Sequence, residues 1–344
     1  METSHQNQKN ASQAVSHAVP EKDEKSCAVL PAQRNAAENH PLLKDAVWKK
    51  TSSVYNLHEG ALPYFSFRAL DETGLVVNAF TTKYGGVSTG HLTSLNLTYA
   101  KEGETPLHVT ENYRRVAARL GLSVEKMVLS QQTHTTNVRL VTEADAGVGV
   151  TKPRDYTDVD GLICNIPGMT LVTFYADCVP LYLLDPVHHA IGLSHSGWRG
   201  TVSRMGAVTI RRMQEAFGTK PEDLICCIGP SICKNCFEVG GEVAQAFAEA
   251  FQKAQMQSLI FHPDQTPVLR TEGMPSKDAK YYIDLWHANE LVFQKAGVKP
   301  ENIHTGSICT KCNPQLFWSH RVFGTKRGNQ AAFLSLKENK NKAK

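Results

Sequence analysis

Hydrophobic positions crowd most densely between residues 171 and 201. Leu171-Val172-Thr173-Phe174, Val179-Pro180-Leu181-Tyr182-Leu183-Leu184 and Ala190-Ile191-Gly192-Leu193 form three short apolar runs, the second closed by Asp185-Pro186. Runs of this length bounded by turn formers predict buried strands. Gly197-Trp198-Arg199-Gly200 leaves the last run toward a helix starting near Val202. Upstream, Tyr64-Phe65-Ser66-Phe67 alternates like a strand, and Leu75-Val76-Val77-Asn78-Ala79-Phe80 predicts another. Helical spacing over 109–120 (Val109, Tyr113, Val116, Ala117, Leu120) stops at Gly121, and a second helix over 203–217 stops at Gly218. Further helices are expected over 243–251 and 284–296, and strands over 127–130, 162–165, 224–228 and 303–308, with a last one near Phe333-Leu334. The pattern is that of a single mixed α/β domain.

Residues 1–57 break from this pattern. They are rich in Asn, Gln, Ser, Lys and Glu and poor in apolar residues. Such a segment buries too little surface to offset its ordering entropy, so it reads as a disordered tail, with a short helix over 42–50 as its one candidate element. The domain is then expected over 58–336, followed by a charged tail over 337–344. No internal repeat is present.

A net charge of +4 spread over 344 residues gives no basic footprint for nucleic acid. No apolar run approaches the ~18 residues of a membrane span. The N-terminus has no apolar signal core and mixes Glu21, Asp23 and Glu24 with lysines, unlike a transit peptide. A cytoplasmic protein is expected, and nine cysteines, an odd number, fit free thiols better than a disulfide framework.

His134, Cys178 and His195 stand at strand ends or on loops. Two imidazoles and one thiolate suit Zn²⁺, and three protein ligands leave a fourth position open, as in catalytic sites. Their separations of 44 and 17 residues match no local metal motif, so by spacing a nucleophile with its base, or plain core residues, stand beside the metal reading. Cys233-Lys234-Asn235-Cys236 and Cys309-Thr310-Lys311-Cys312 are two C-x-x-C elements with 72 residues between them. A zinc ribbon separates its pairs by about 15–20 residues, so these read as ordinary reduced thiols. Cys226-Cys227 falls in an expected core strand and His188-His189 in a solvated turn. Lys83-Tyr84-Gly85-Gly86 offers an anion a cation and free N–H groups, but it lacks the phosphate-loop pattern and reads first as a tight turn. The absence of G-x-G-x-x-G and G-x-S-x-G disfavours dinucleotide and serine-hydrolase chemistry.

Taken together the motifs are more specific. Phe80-Thr81-Thr82-Lys83-Tyr84-Gly85-Gly86-Val87-Ser88, Ser94-Leu95-Asn96-Leu97 and Gln132-Thr133-His134 come first. Asp158-Val159-Asp160-Gly161, Ala176-Asp177-Cys178-Val179-Pro180 and His195-Ser196-Gly197-Trp198-Arg199-Gly200 follow, then Ile228-Gly229-Pro230-Ser231-Ile232 and Phe317-Trp318-Ser319-His320-Arg321. In this order they resemble the laccase-domain family, also called the YfiH or polyphenol-oxidase-like family, over about 75–336. The C-terminal Cys309-Thr310-x-Cys312 and Phe333-Leu334-Ser335-Leu336-Lys337-Glu338 resemble most its animal members.

That resemblance implies a layered α/β/β/α sandwich and a purine nucleoside enzyme. The implied activities are phosphorolysis of adenosine, inosine, guanosine and methylthioadenosine, with inorganic phosphate as co-substrate, and deamination of adenosine to inosine. It implies Zn²⁺ held by His134, Cys178 and His195. Asp177 becomes a candidate orienter or base, and Lys83, Asn96 and Arg199 become candidate grips on substrate or phosphate. The chain departs from the family at Lys83, where Arg is usual, at Ser196, where Ala is usual, and after His320, where only Arg321 stands in place of two adjacent arginines. The sequence leaves open whether Arg327 compensates for the missing one. Copper is not expected despite the family's older name, because none of the 14 histidines is followed by another at i+2. Two rival readings are a metal-free hydrolase with Cys178 as nucleophile and a histidine base, and an interaction scaffold that recruits partners through its polar tail.

Overall fold

The computed structural model describes residues 53–251 and 255–338. The tail reading up to residue 52, the helix weighed over 42–50 and the end of the charged tail from residue 339 lie outside the described residues.

In chain order the strands begin with β1 (Tyr55–His58), β2 (Tyr64–Phe67), β3 (Val76–Thr81), β4 (Met127–Leu129) and β5 (Val138–Leu140). The central run follows as β6 (Gly161–Cys164), β7 (Thr170–Tyr175), β8 (Val179–Asp185) and β9 (Ala190–Ser196). Then come β10 (Ile225–Ile228), β11 (Glu238–Gly240), β12 (Ile260–Phe261), β13 (Lys280–Ile283), β14 (Ile303–Thr305) and β15 (Gln330–Leu336). One sheet has the order β1-β2-β3-β15-β7-β4, a second β14-β10-β8-β9-β6-β5, and a small third β11-β13-β12. The longer helices are α1 (Pro106–Leu120), α2 (Met205–Phe217), α3 (Gly241–Ala250) and α4 (Leu285–Lys295).

The two six-stranded sheets lie face to face. Phe67, Phe80, Tyr175 and Leu334 of the first share one core with Tyr182, Leu184 and Leu193 of the second. Tyr182 crosses the gap and donates its hydroxyl to the Ala79 carbonyl at 2.8 Å. On the outer face of the first sheet, Ala79, Val172 and Phe333 pack on Val109, Tyr113 and Val116 of α1. On the outer face of the second, Leu181, Leu183 and Ile228 pack on Ile210 of α2, Phe247 of α3 and Phe293 of α4. The result is an α/β/β/α sandwich. It explains the unbroken apolar run of β8: successive side chains point to opposite faces, and here both faces are covered.

Local signals set the helix ends. Thr105 accepts a hydrogen bond from His108 N and Pro106 opens α1, while Gly121 closes it at φ 68°. Asp284 caps α4 through His287 N. The helix expected over 203–217 starts two residues later: a separate short helix spans Trp198–Val202, and α2 begins at Met205 after Arg204 takes a left-handed φ of 62°.

The tail boundary needs correction. β1 pairs with β2 from Tyr55 to His58, and Tyr55 is fully buried, so order begins before residue 58. Tyr55 packs against Phe65 and Phe67, and a Cβ on Gly306 would lie 2.0 Å from its ring. A four-residue edge strand with one large aromatic carries too weak a periodicity to stand out from a polar tail.

Candidate metal and active site

The turn Ala176-Asp177-Cys178 carries the chain from β7 in one sheet to β8 in the other, so it lies at the open end between them. In β9, Leu193 faces the gap between the sheets, and two residues on His195 shares that face. His195 pairs in register with Pro180, which brings it beside Cys178. His134 arrives from the loop after β4. The ligating atoms of His134, Cys178 and His195 lie within 4.8 Å of one another. Gly197 makes room for this approach: a Cβ there would stand 3.0 Å from His134 Cδ2 and 3.1 Å from Cys178 Sγ.

One carboxylate organises both histidines. Asp160 Oδ1 accepts from His195 Nδ1 at 2.8 Å and from His134 N at 3.1 Å. Its Oδ2 accepts from Thr133 N at 2.8 Å, Thr135 N at 3.2 Å and Thr135 Oγ1 at 3.3 Å. These contacts hold His134 at a left-handed φ of 68°, which costs a non-glycine residue about 1–2 kcal/mol. With Nδ1 engaged by Asp160, His195 presents Nε2 as its free nitrogen, the arrangement in which carboxylates orient metal-ligating histidines. Burial pushes the Cys178 thiol up, but His195 and His134 beside it bring it down to about 6. Burial pushes His195 down, and Cys178 with the Asp160 hydrogen bond lifts it to about 9. Two nitrogens and a ready thiolate form a donor set that fits a zinc ion with a position left open.

The site opens on a cavity of about 330 Å³. Tyr99, Phe174 and Leu97 give it apolar walls, and Lys101, Arg154 and Arg327 give it three cations. Among the described residues its lining includes no carboxylate. Burial pushes Lys101 below the ordinary lysine range, and the Arg327 charge adds to the effect. A larger recess of about 840 Å³, lined in part by Gly168, His189 and Glu338, lies toward the other end of β9. That end, at Ala190, is five residues, roughly 17 Å, from His195.

Four residues proposed from sequence do not line this cavity. Lys83 does not line the cavity; Nζ donates to the Pro314 carbonyl at 2.6 Å and lies 5.5 Å and 5.2 Å from the Trp318 and Phe323 rings. Asn96 is buried, donates to Thr98 O and Glu104, and accepts from Asn329 N at 3.0 Å, so it supports the cavity wall from behind. Arg199 is exposed with its guanidinium 4.3 Å from the Trp198 ring. Asp177, at φ 87°, turns its carboxylate away from Cys178 toward three donors: Thr310 Oγ1 at 2.7 Å, Ser319 Oγ at 3.0 Å and Arg321 N at 2.7 Å. Conversely, sequence reading gave no role to Asp160, although its motif stood out, nor to Lys101 and Arg154, which sit in loops without periodicity.

Fold and site define a mixed α/β enzyme with an open two-nitrogen, one-sulfur centre between two sheets. The chain belongs to the family described as multi-copper polyphenol oxidoreductase laccase, whose model matches residues 77–337. It is 33% identical to the purine nucleoside phosphorylase YlmD of Bacillus subtilis over 267 residues, 76% of this chain and 89% of that protein. It is 32% identical to mouse purine nucleoside phosphorylase LACC1, spanning 76% of this chain and 56% of LACC1. A relative from an unknown prokaryote, 30% identical over 73% of this chain and 91% of its own length, is named adenosine deaminase RL5. Among solved structures, YfiH of Bacillus licheniformis superposes with a TM-score of 0.72 at 28% identity, covering 82% of this chain and 99% of its own. YlmD of Geobacillus stearothermophilus gives 0.69 at 30% identity, with 83% and 99% covered. No helix among the described residues is long and apolar enough to cross a membrane.

Proposed function

We propose that this chain is a zinc-dependent purine nucleoside phosphorylase that acts on adenosine, inosine, guanosine and methylthioadenosine and also deaminates adenosine. The observation that carries the phosphorolytic part is the cavity beside the His134, Cys178 and His195 set, with three cations and, among the described residues, no carboxylate. A zinc ion held by these three residues supplies a Lewis acid for a phosphate, sugar or water oxygen. Lys101, Arg154 and Arg327 grip the phosphate and hold it against the sugar carbon. Tyr99 and Phe174 enclose the flat purine. The bond from C1′ to the base breaks with its electron pair leaving on the purine, which takes up a proton, while a phosphate oxygen bonds to C1′. Fixed cations near the reacting oxygens stabilise charge without reorganising during the step. The relatives' names support the same reading.

The expected result is adenine release from adenosine that depends on added phosphate, and inosine formation that does not. Cys178→Ala should lose the zinc of this centre together with turnover. Base release independent of phosphate would remove phosphorolysis from the assignment. A second reading rests on the Cys178 thiol at about 6 beside His195 oriented by Asp160, a nucleophile, base and orienter in line. It predicts that chelator-treated, metal-free protein stays active.

A further inference from the structure

Beyond this site, the structure brings together the two C-x-x-C elements whose sequence separation argued against a metal. The sulfurs of Cys233, Cys236, Cys309 and Cys312 all lie within 4.8 Å of one another. The approach is built by the fold: β10 and β14 run parallel, and the chain beyond them continues the pairing through a bridge between Ser231 and Cys309. Ser231 N donates to Ile308 O at 3.2 Å, and Thr310 N donates to Ser231 O at 3.1 Å.

We infer that Cys233, Cys236, Cys309 and Cys312 form a second, structural zinc site. Three observations favour it over loose thiols. First, tetrahedral zinc with sulfurs at about 2.3 Å sets them roughly 3.8 Å apart, and Cys236 Sγ lies 3.5 Å from Cys312 Sγ. A disulfide would need about 2.05 Å. Second, Cys309 Sγ accepts backbone N–H bonds from Cys233 at 3.3 Å and Cys312 at 3.4 Å, as metal-bound thiolates do. Third, a four-thiolate set has no vacant protein position, which suits a structural rather than a catalytic ion. On binding, each thiol gives up its proton and the centre carries a net charge of −2.

The placement gives the site a task. Ile232, next to Cys233, donates its N–H to the Asp177 carbonyl at 3.0 Å, and Thr310, next to Cys309, donates to the Asp177 carboxylate at 2.7 Å. Both C-x-x-C segments therefore grip the residue preceding Cys178, and a metal joining them fixes the turn that presents that ligand.

The test uses the full chain carrying Cys178→Ala, which removes the first centre, so the two proposals fail separately. It should retain one zinc per chain by elemental analysis, with four sulfur neighbours by X-ray absorption. Adding Cys312→Ser, a change at an exposed position, should speed zinc loss to a chelator at least tenfold and lower the melting temperature. Cys312→His should keep the ion. Metal-free Cys178→Ala protein with all four thiols alkylated in the native state would overturn the inference. So would a disulfide within the group, or bound iron in place of zinc.

Discussion

Asp160→Asn tests the claim that one carboxylate sets both histidines. If the asparagine oxygen replaces Oδ1, the bonds from His195 Nδ1 and His134 N survive without their charge. The amide nitrogen then faces Thr133 N and Thr135 N, two donors that lose their acceptor. An unpaired buried donor costs about 1–3 kcal/mol, which sets a ceiling of about 6 kcal/mol for two. Thr133 is exposed and Thr135 half-buried, so water recovers part of it and the lower figure, about 2 kcal/mol, is expected. At about 2 °C per kcal/mol for a chain of this size, the melting temperature falls by about 4 °C. Losing the partner of a metal-ligating histidine weakens zinc binding by about 10- to 100-fold, or about 1.4–2.7 kcal/mol. Competition against a chromophoric chelator measures the second quantity and calorimetry the first. A purely structural role would lower the melting temperature while leaving zinc affinity intact. Unchanged zinc affinity in Asp160→Asn would therefore refute the orienting role.

Arg327→Ala should raise the phosphate KM by roughly 10- to 100-fold, the loss of one charged hydrogen bond, whereas Lys83→Ala should leave it unchanged because Lys83 faces Pro314 O; phosphate-dependent kinetics decide. A chain starting at Ser53 should fold like the full chain, but starting at His58 removes the buried Tyr55 and should cost about 3–5 kcal/mol by denaturant titration. Burial pushes the Asp185 carboxyl up, but the Thr219 hydroxyl nearby and hydrogen bonds from His188 and Val187 carry it below the usual range. Its stabilisation is then full above the unfolded value of about 3.9 and fades as pH falls through the lower folded value. Asp185→Asn should be less stable than wild type at neutral pH, with the gap closing in acid.

Periodicity made most of the sandwich legible, because strands buried on both faces, such as β8 and β9, leave unbroken apolar runs. The ligand set was legible only as a combination. No spacing rule links residues 134, 178 and 195, since what joins them is the crossing between two sheets, a tertiary fact. The same holds for the four thiols, read as ordinary reduced thiols because 72 residues intervene, yet set side by side by the parallel pairing of β10 and β14. Lys83, Asn96 and Arg199 drew attention as polar residues beside glycines or in dense motifs. In the fold such motifs also hold loops together: Lys83 and Tyr84 tie to the carbonyls of Pro314 and Gln315.

The cavity's charge pattern further bears on which of the two reactions dominates. Deamination at C6 needs a group to take a proton from water and deliver one to the leaving amine, a task zinc deaminases give to a glutamate. No carboxylate among the described residues lines this cavity, and the Asp177 carboxylate, the nearest in sequence to Cys178, is committed to Thr310, Ser319 and Arg321. Phosphorolysis makes a smaller demand, since the phosphate brings its own ionisable oxygens and the three cations are already placed for it. With saturating phosphate, adenosine should therefore yield more adenine than inosine and hypoxanthine together, hypoxanthine being counted because inosine can itself be phosphorolysed. Withdrawing phosphate should leave inosine as the main product at a lower total rate. Chromatography of a single time course at two phosphate concentrations separates these products. Deamination products in excess at saturating phosphate would mean that a proton carrier serves C6 from outside the cavity lining, and the ordering argued from its charges would fall.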